Sequence, residues 1–296
     1  MTDIVPDAFV PPLPTTVTTD IPCRKCGYNL RGLSTAARCP ECGVAIAAST
    51  SGDLLRFCDP EWVNLLARGT KLIIAGVVVM FFDIVVAVIL AIAMGTKQSL
   101  LTTLASLASG ALIVLGSWLL TTPDPSGIGE DRYGTARKTI RITLLIGIVN
   151  TAILETSMWA PLPPMIAQAI RLLGGLVELV NIVAYYAQLH YFEKLAERIP
   201  DPPLTRRANF LKKWLPASDF VMNLGTVASL LLARNGPPQR NLLVSFGCFV
   251  GIFGLATLVL AIMYLLMIEK FGKRFKESAL LASQNWAAHA ADPPVA

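Results

Sequence analysis

Long apolar segments alternate with short polar or proline-rich segments along most of this chain. One apolar run covers 72–95 and contains a single charged residue, Asp83, and another covers 242–268 without any charge. Since a bilayer core of ~30 Å requires ~20 helical residues, runs of this length predict membrane-spanning helices. The whole pattern predicts six such spans, at 71–95, 99–121, 140–159, 165–191, 214–233 and 242–268.

The fifth predicted span is the least apolar of the six, because Pro216, Asp219 and Asn223 interrupt it. The distribution of basic residues favours keeping it, since Lys and Arg concentrate in cytosolic loops. With six spans and a cytosolic N-terminus, only Lys97, Arg234 and Arg240 lie outside. Even without the ribbon, seventeen basic residues lie inside: Arg56, Arg68, Lys71, Arg132, Arg137, Lys138, Arg141, Lys194, Arg198, Arg206, Arg207, Lys212, Lys213, Lys270, Lys273, Arg274 and Lys276. We therefore predict that both termini are cytosolic.

Composition agrees with a membrane protein. The 296 residues are 54% hydrophobic and 15% charged, with a mean hydropathy of +0.58, whereas soluble domains carry about 25% charged residues. The net charge of +5 could suit a nucleic acid. However, the basic residues flank the spans, where topology and lipid headgroups account for them, so we expect the lipid bilayer and not nucleic acid as a partner.

Two C-x-x-C pairs lie near the N-terminus, twelve residues apart: Cys23, Cys26, Cys39 and Cys42. Four thiolates at this spacing predict a zinc ribbon, with Zn–S bonds of ~2.3 Å and no open position for a substrate. Gly27 and Gly43 each follow the second cysteine of a pair, where a tight turn favours a residue that tolerates positive φ. Because so short a segment cannot bury a sufficient core, the metal is expected to be structural and to supply the folding energy.

Three alternatives to a structural zinc site were weighed. Disulfides are typical of extracellular domains, but the N-terminus has neither the basic nor the apolar region of a signal peptide. Iron remains an alternative, because sulfur ligands alone do not distinguish it from zinc. A redox-sensing role beside Arg24 and Lys25 is the third. Outside the pairs, we interpret Cys58 as an ordinary juxtamembrane thiol and Cys248 as a buried helix residue.

The run 26–33, CGYNLRGL, followed by 39–43, CPECG, resembles the N-terminal ribbon of many uncharacterised bacterial membrane proteins. The segments 59–62, DPEW, and 198–201, RIPD, are similar too, less distinctively. The resemblance implies a ribbon attached to a multi-span bundle in a bacterial inner membrane, and it implies no activity or substrate.

We therefore expect an all-α membrane helical bundle of about six transmembrane helices with a small N-terminal zinc ribbon. The expected divisions are a disordered tail at 1–20, the ribbon at 21–46, a linker and juxtamembrane helix at 47–70, the bundle at 71–269 and a cytosolic tail at 270–296.

Five ionisable residues fall within or near the predicted spans: Asp83, Glu155, Arg171, Glu178 and Asp219. Such groups are unfavourable in hydrocarbon and should face the bundle interior or a water-filled cavity. Their depths suggest an outer pair of Glu155 with Arg171 and a midplane pair of Asp83 with Glu178. The four form either a polar track for protons or cations, or neutralised groups that hold helices together; we favour the second reading.

The sequence contains no H-E-x-x-H, phosphate-binding glycine loop or nucleophile elbow, so we do not expect an enzyme. Two functions remain. The first is a membrane-anchored interaction or scaffold protein that docks a cytosolic protein through the ribbon. The alternative is a small transporter or channel that uses the acidic residues of the spans.

Overall fold

The computed structural model describes residues 15–50, 52–95, 99–126, 130–233 and 240–291. Its helices alternate in direction along the chain, and a short 3₁₀ turn, Leu55–Phe57, precedes the first long one. The α-helices are α1 Ile46–Thr50, α2 Pro60–Met94, α3 Leu100–Leu120, α4 Glu130–Ser157, α5 Pro164–Glu197, α6 Pro202–Ala233 and α7 Arg240–Ala291. Within the described ranges, β pairing is limited to isolated bridges in the ribbon.

Local sequence explains where the first two long helices begin. The side chain of Asp59 caps α2 by accepting hydrogen bonds from the backbone N–H groups of Glu61, at 2.8 Å, and Trp62, at 3.4 Å. Pro60 occupies the first helical position, where its missing N–H is not needed. Ser99 and Thr102 form a reciprocal capping box at the start of α3. Both helices therefore begin at residues whose side chains satisfy the free N–H groups of the first turn.

Five helices are long and apolar enough to cross a membrane, namely α2, α3, α4, α5 and the described part of α7. The predicted all-α membrane bundle with a small ribbon is therefore confirmed. The fifth predicted span, 214–233, coincides with the second half of α6, which is not among these helices. Most side chains of 226–233 lie outside the described residues, so this span stays a prediction.

Several helices extend well beyond the predicted spans, α2 and α7 among them. The juxtamembrane helix and the first span form one 35-residue helix, α2, which is ~52 Å long at 1.5 Å per residue. The last helix, α7, has 52 residues and a length of ~78 Å, so helix continues through most of the expected cytosolic tail. The ribbon also begins earlier than predicted, because Thr16 bridges to Ser34 and Val17 N–H donates to Leu33 O at 2.9 Å.

The buried apolar residues lie mainly at the end of the bundle that carries the ribbon. There the starts of α2, α4 and α6 meet the ends of α3 and α5 and the second half of α7. We call this cluster the basal core; its largest fully buried members include Leu55, Leu66, Ile73, Leu120, Ile140, Tyr191, Phe192, Phe271 and Phe275. At the opposite end, large apolar side chains point outward, including Ile92, which is 82% exposed, and Met165, which is 81% exposed.

Helices α2 and α3 approach most closely where two glycines face each other. A Cβ added to Gly69 would lie 2.6 Å from Gly116 O, and one added to Gly116 would lie 2.7 Å from Gly69 O. Only glycine therefore fits at this crossing, which is typical of helix pairs packed within a membrane.

Candidate metal centre

The four cysteines of the two C-x-x-C pairs converge on one point. Their Sγ atoms all lie within 4.8 Å of one another, with Cys23 and Cys42 3.5 Å apart and Cys26 and Cys39 3.6 Å apart. A tetrahedral ion with bonds of ~2.3 Å separates its sulfur ligands by ~3.8 Å, so the cluster fits such an ion. The described cysteines are free and not joined in disulfides. The four residues therefore form a candidate metal centre.

Both cysteine pairs are shaped by the same backbone turn. Gly27 N–H donates to Cys23 O at 2.8 Å, and Gly43 N–H donates to Cys39 O at 2.9 Å. The two glycines have φ angles of 78° and 72°, which residues with a Cβ rarely adopt. The predicted reason for glycine at these positions is therefore confirmed.

The apolar core of the ribbon is very small. Besides the cysteines, its buried members are Val17, Leu30 and Ile46. Backbone pairing is limited to isolated bridges, such as those from Pro22 to Asn29 and from Arg38 to Ala45. A core of this size does not stabilise a fold in water by itself, which is the usual reason for a structural metal.

Arg24, between the first two cysteines, is the contact between the ribbon and the bundle. Its side chain is 2% exposed, although the neighbouring Lys25 is exposed to solvent. Nη1 of Arg24 donates to Cys58 Sγ at 3.4 Å, and Nη2 donates to the carbonyl oxygen of Gly52. The backbone N–H of Arg24 donates to Ser49 Oγ at 3.2 Å.

Cys58 lies between two guanidinium groups. Its Sγ accepts a hydrogen bond from Arg24 and a second one, at 3.1 Å, from Nη2 of Arg198. The thiol in turn donates to Leu54 O at 3.6 Å. Burial raises the pKa of Cys58 to about 12, and the positive charge of Arg198 offsets this only in part. Cys58 is therefore a neutral thiol that donates one hydrogen bond through its proton and accepts two through its lone pairs.

Arg198 is the centre of a buried polar network. Its side chain is 3% exposed and contacts Asp124 Oδ2 and Asp53 Oδ1, each at 2.9 Å. Nη1 donates to Tyr133 Oη at 2.8 Å. Burial alone would lower the pKa of Arg198, but its anionic neighbours, among them Asp124 and Asp53, raise it above the ordinary value, so the guanidinium stays charged.

We call this network, together with the ribbon arginine, the two-arginine cluster; it consists of Arg24, Asp53, Cys58, Asp124, Tyr133 and Arg198. Sequence reasoning did not find it. Cys58 was interpreted as an ordinary thiol, and Arg198 was counted only as a charge that sets topology. One available signal was the 198–201 segment, because Arg198 directly follows a long apolar helix and precedes a proline turn.

Among the intramembrane candidates, Glu155 lies within electrostatic reach of Asp83. Glu155 Oε2 accepts from Thr103 Oγ1 at 3.3 Å, and the carboxylates of Glu155 and Asp83 are close enough to repel each other. The side chain of Arg171 is exposed, and the ion pairs of the described residues do not include one between it and Glu155.

The midplane acid Glu178 has different neighbours again. Its Oε1 accepts from Asn150 Nδ2 at 3.1 Å, and its charge acts on Asp219 of α6. Asp83 and Glu178 therefore belong to two separate polar groups, whereas the sequence predicted that they form one pair.

Fold and site together define a class: an all-α membrane bundle that carries a four-cysteine metal-binding ribbon. Comparisons with known protein families, with curated proteins and with solved structures found no match for this chain. A functional assignment therefore rests on the residues described above.

Proposed function

We propose that this protein is a membrane-anchored interaction or scaffold protein, whose cytosolic ribbon binds one structural zinc ion and docks a protein partner. No residue has a catalytic role in this proposal. The resemblance of the segments 26–33 and 39–43 to ribbons of bacterial membrane proteins supports the bacterial inner membrane as its location.

The observation that carries the proposal is that the ribbon has one docked and one free surface. Arg24 is buried against the bundle, so the ribbon is held in a defined place. Lys25, Tyr28 and Arg31 are exposed, and Tyr28 keeps 39% of its surface in solvent. An exposed tyrosine between two cations is typical of a binding surface, since tyrosine and arginine are enriched at interface hot spots. The chemistry fits an acidic protein segment.

The docking surface is tested by placing a photo-crosslinking residue at position 28 and identifying the protein it captures in cells. For that partner, Tyr28→Ala combined with Lys25→Ala should weaken binding at least about tenfold, the effect of one hot-spot contact. Lys276→Ala, which removes an exposed cation of α7, is the matched control and should leave the affinity unchanged. Equal affinity of all three proteins would contradict the docking role.

Zinc is the metal we propose. Four thiolates in a tetrahedral arrangement can bind either zinc or iron, but closed structural sites of this kind are typical of zinc. Metal analysis of the purified protein should find one zinc per chain. Cys39→Ser should lose the metal and make the ribbon sensitive to protease, while the helices stay folded. Bound iron would contradict zinc, and an intact ribbon without metal would contradict the site itself.

An exposed stripe on α6 supports the fifth predicted crossing, 214–233, and the proposed orientation. Going along the helix, the stripe begins with Arg206 and Arg207, continues with Phe210 and Trp214, whose rings lie 6.4 Å apart, and ends in the apolar Phe220. This is the order in which a helix passes from cytosol through headgroups into hydrocarbon. Cysteines introduced near 97, 162 and 237 should react with an impermeant reagent outside intact cells. Reaction at 130 or 205 would contradict the topology.

A second candidate function is proton or cation transport. It is favoured by one atom: Asp83 Oδ1 is buried without a hydrogen-bond partner among the described residues, beside the carboxylate of Glu155. If Asp83 serves transport, Asp83→Asn should abolish a coupled flux in proteoliposomes and leave the folded yield unchanged. A flux that persists in this variant would exclude an essential charge at Asp83, and a parent protein without flux would leave the scaffold role.

A further inference from the structure

We propose that metal occupancy of the ribbon controls the exposure of Cys58, so that the ribbon and the two-arginine cluster form a metal-dependent latch on the basal core. The inference rests on the proposed metal site. It does not depend on the docking of a partner, because the latch uses Arg24 and Cys58 and the docking surface uses Lys25 and Tyr28.

The first step of the argument is that the metal centre positions Arg24. The residue lies between two ligands, Cys23 and Cys26, and its backbone N–H donates a hydrogen bond to Ser49 Oγ at 3.2 Å. When the metal is removed, the four thiols lose their common partner, and a core as small as that of the ribbon does not hold the turn. Arg24 then loses the backbone support that directs it to the bundle.

The second step is that the two arginines are held in different ways. Arg198 is neutralised by contacts with Asp53 and Asp124 at 2.9 Å. Among the described residues, no carboxylate pairs with Arg24, and its Nε has no hydrogen-bond partner. A buried guanidinium without a counter-charge is better solvated by water. Once the ribbon opens, Arg24 therefore leaves the cluster, whereas Arg198 stays.

The third step is that Arg24 covers Cys58, which is 1% exposed. Departure of the guanidinium leaves the thiol with Arg198 on one side and open space on the ribbon side. The segment around Cys58 also contacts two helices: Leu55 N–H donates to Arg198 O at 3.1 Å, and Asn285 Nδ2 donates to Arg56 O at 3.0 Å. The state of the ribbon is thereby transmitted to the ends of α5 and α7.

The test measures alkylation of Cys58 by N-ethylmaleimide in the full-length, zinc-loaded protein in lipid nanodiscs, resolved by mass spectrometry of the cysteine-containing peptides. Cys58 should be protected with zinc bound, and its reaction should accelerate at least about tenfold after chelation, since local opening governs reactivity of a buried group. Readdition of zinc should restore protection, which separates opening of the latch from denaturation.

Two variants locate the effect in Arg24. Arg24→Met keeps an unbranched, flexible side chain but removes the guanidinium, and should expose Cys58 even with zinc bound. Metal analysis of the same sample verifies that zinc is present. Lys25→Met, in the same turn but exposed, should behave as the parent. Unchanged protection of Cys58 after verified metal loss, or equal protection in zinc-loaded Arg24→Met and Lys25→Met, would overturn the latch. Neither result bears on the binding assay at Tyr28, so the two proposals fail independently.

Discussion

The two ends of the helical bundle are stabilised in different ways. At the ribbon end, aromatic side chains and charged groups are buried together, as Phe271 and Arg198 illustrate. At the opposite end, large side chains such as Ile92 and Met165 point away from the protein. Burial of apolar surface stabilises a fold only where the alternative is water, whereas lipid is as apolar as the side chains themselves. The ribbon end is therefore organised like a soluble core, and the far end like a membrane domain.

This comparison predicts that Arg198→Met causes the largest loss of stability. The substitution leaves Asp124, whose side chain is 2% exposed, as a buried carboxylate without its counter-charge. Breaking a buried pair in this way typically lowers the free energy of unfolding by about 3–5 kcal/mol. The control is Lys194→Met, which removes a partly exposed pair with Glu197 and should change stability by at most about 1 kcal/mol. Unfolding in mixed detergent measures both, and equal effects would refute the contrast.

An intermediate effect is predicted for Gly69→Ala. A Cβ at this position meets the backbone of α3 at 2.6 Å, so the helices must separate. Overpacking of this kind typically lowers stability by about 1–3 kcal/mol. Gly110→Ala is the matched control, because a Cβ there meets no atom within 4 Å and should be tolerated or slightly stabilising. Thermal unfolding of the two variants checks the prediction; equal midpoints would mean that this crossing is not tightly packed.

A smaller, pH-dependent effect is predicted for Asp201→Asn at the start of α6. Burial alone would raise the pKa of Asp201, but hydrogen bonds from Lys270 and Arg274 lower it below the usual value of 3.8. Because its folded-state pKa is depressed, the carboxylate stabilises the fold above that value, and the contribution is lost as pH falls through the folded-state pKa. Near neutral pH, the free energy of unfolding of the variant should be lower by about 1 kcal/mol. The effect is this small because Lys270 and Arg274 are partly exposed. It should match the parent at a pH where Asp201 is protonated, and a constant difference at all pH values would contradict this origin.

The smallest effect is predicted for Arg171→Gln, which belongs to the far end. The side chain is exposed and no ion pair joins it to another described residue, so its loss should change stability by less than about 0.5 kcal/mol. A loss above about 1 kcal/mol would show that the charge has a partner within the bundle and would restore the pairing with Glu155.

The features that sequence reasoning found are those with a short-range pattern. Cysteine spacing and the length of apolar runs are both local, and both predictions were confirmed in outline. The two-arginine cluster is not local: Cys58 and Arg198 are 140 positions apart, and Asp124 and Arg198 are 74 apart. The sequence around one of these residues does not indicate its partner, because these contacts depend on how the helices are arranged around one another.

The intramembrane residues illustrate a second limit. Counting residues from the ends of a span predicts depth, and it placed Asp83 and Glu178 at a similar level. Whether two residues on different helices touch also depends on the rotation of each helix about its own axis. The depth of a residue gives no information about that rotation. Asp83 consequently lies within electrostatic reach of Glu155, and Glu178 accepts a hydrogen bond from Asn150.

The path of α7 has a consequence for the order of assembly during synthesis. Asn285 and Trp286, near the end of the described chain, bond to the backbone of Arg56 and Phe57, which are made 229 residues earlier. Since Phe271 and Phe275 also come from α7, the basal core is incomplete until α7 has left the ribosome. The two-arginine cluster has all its members once Arg198 is made. A nascent chain therefore contains every member of the two-arginine cluster before it contains every member of the basal core.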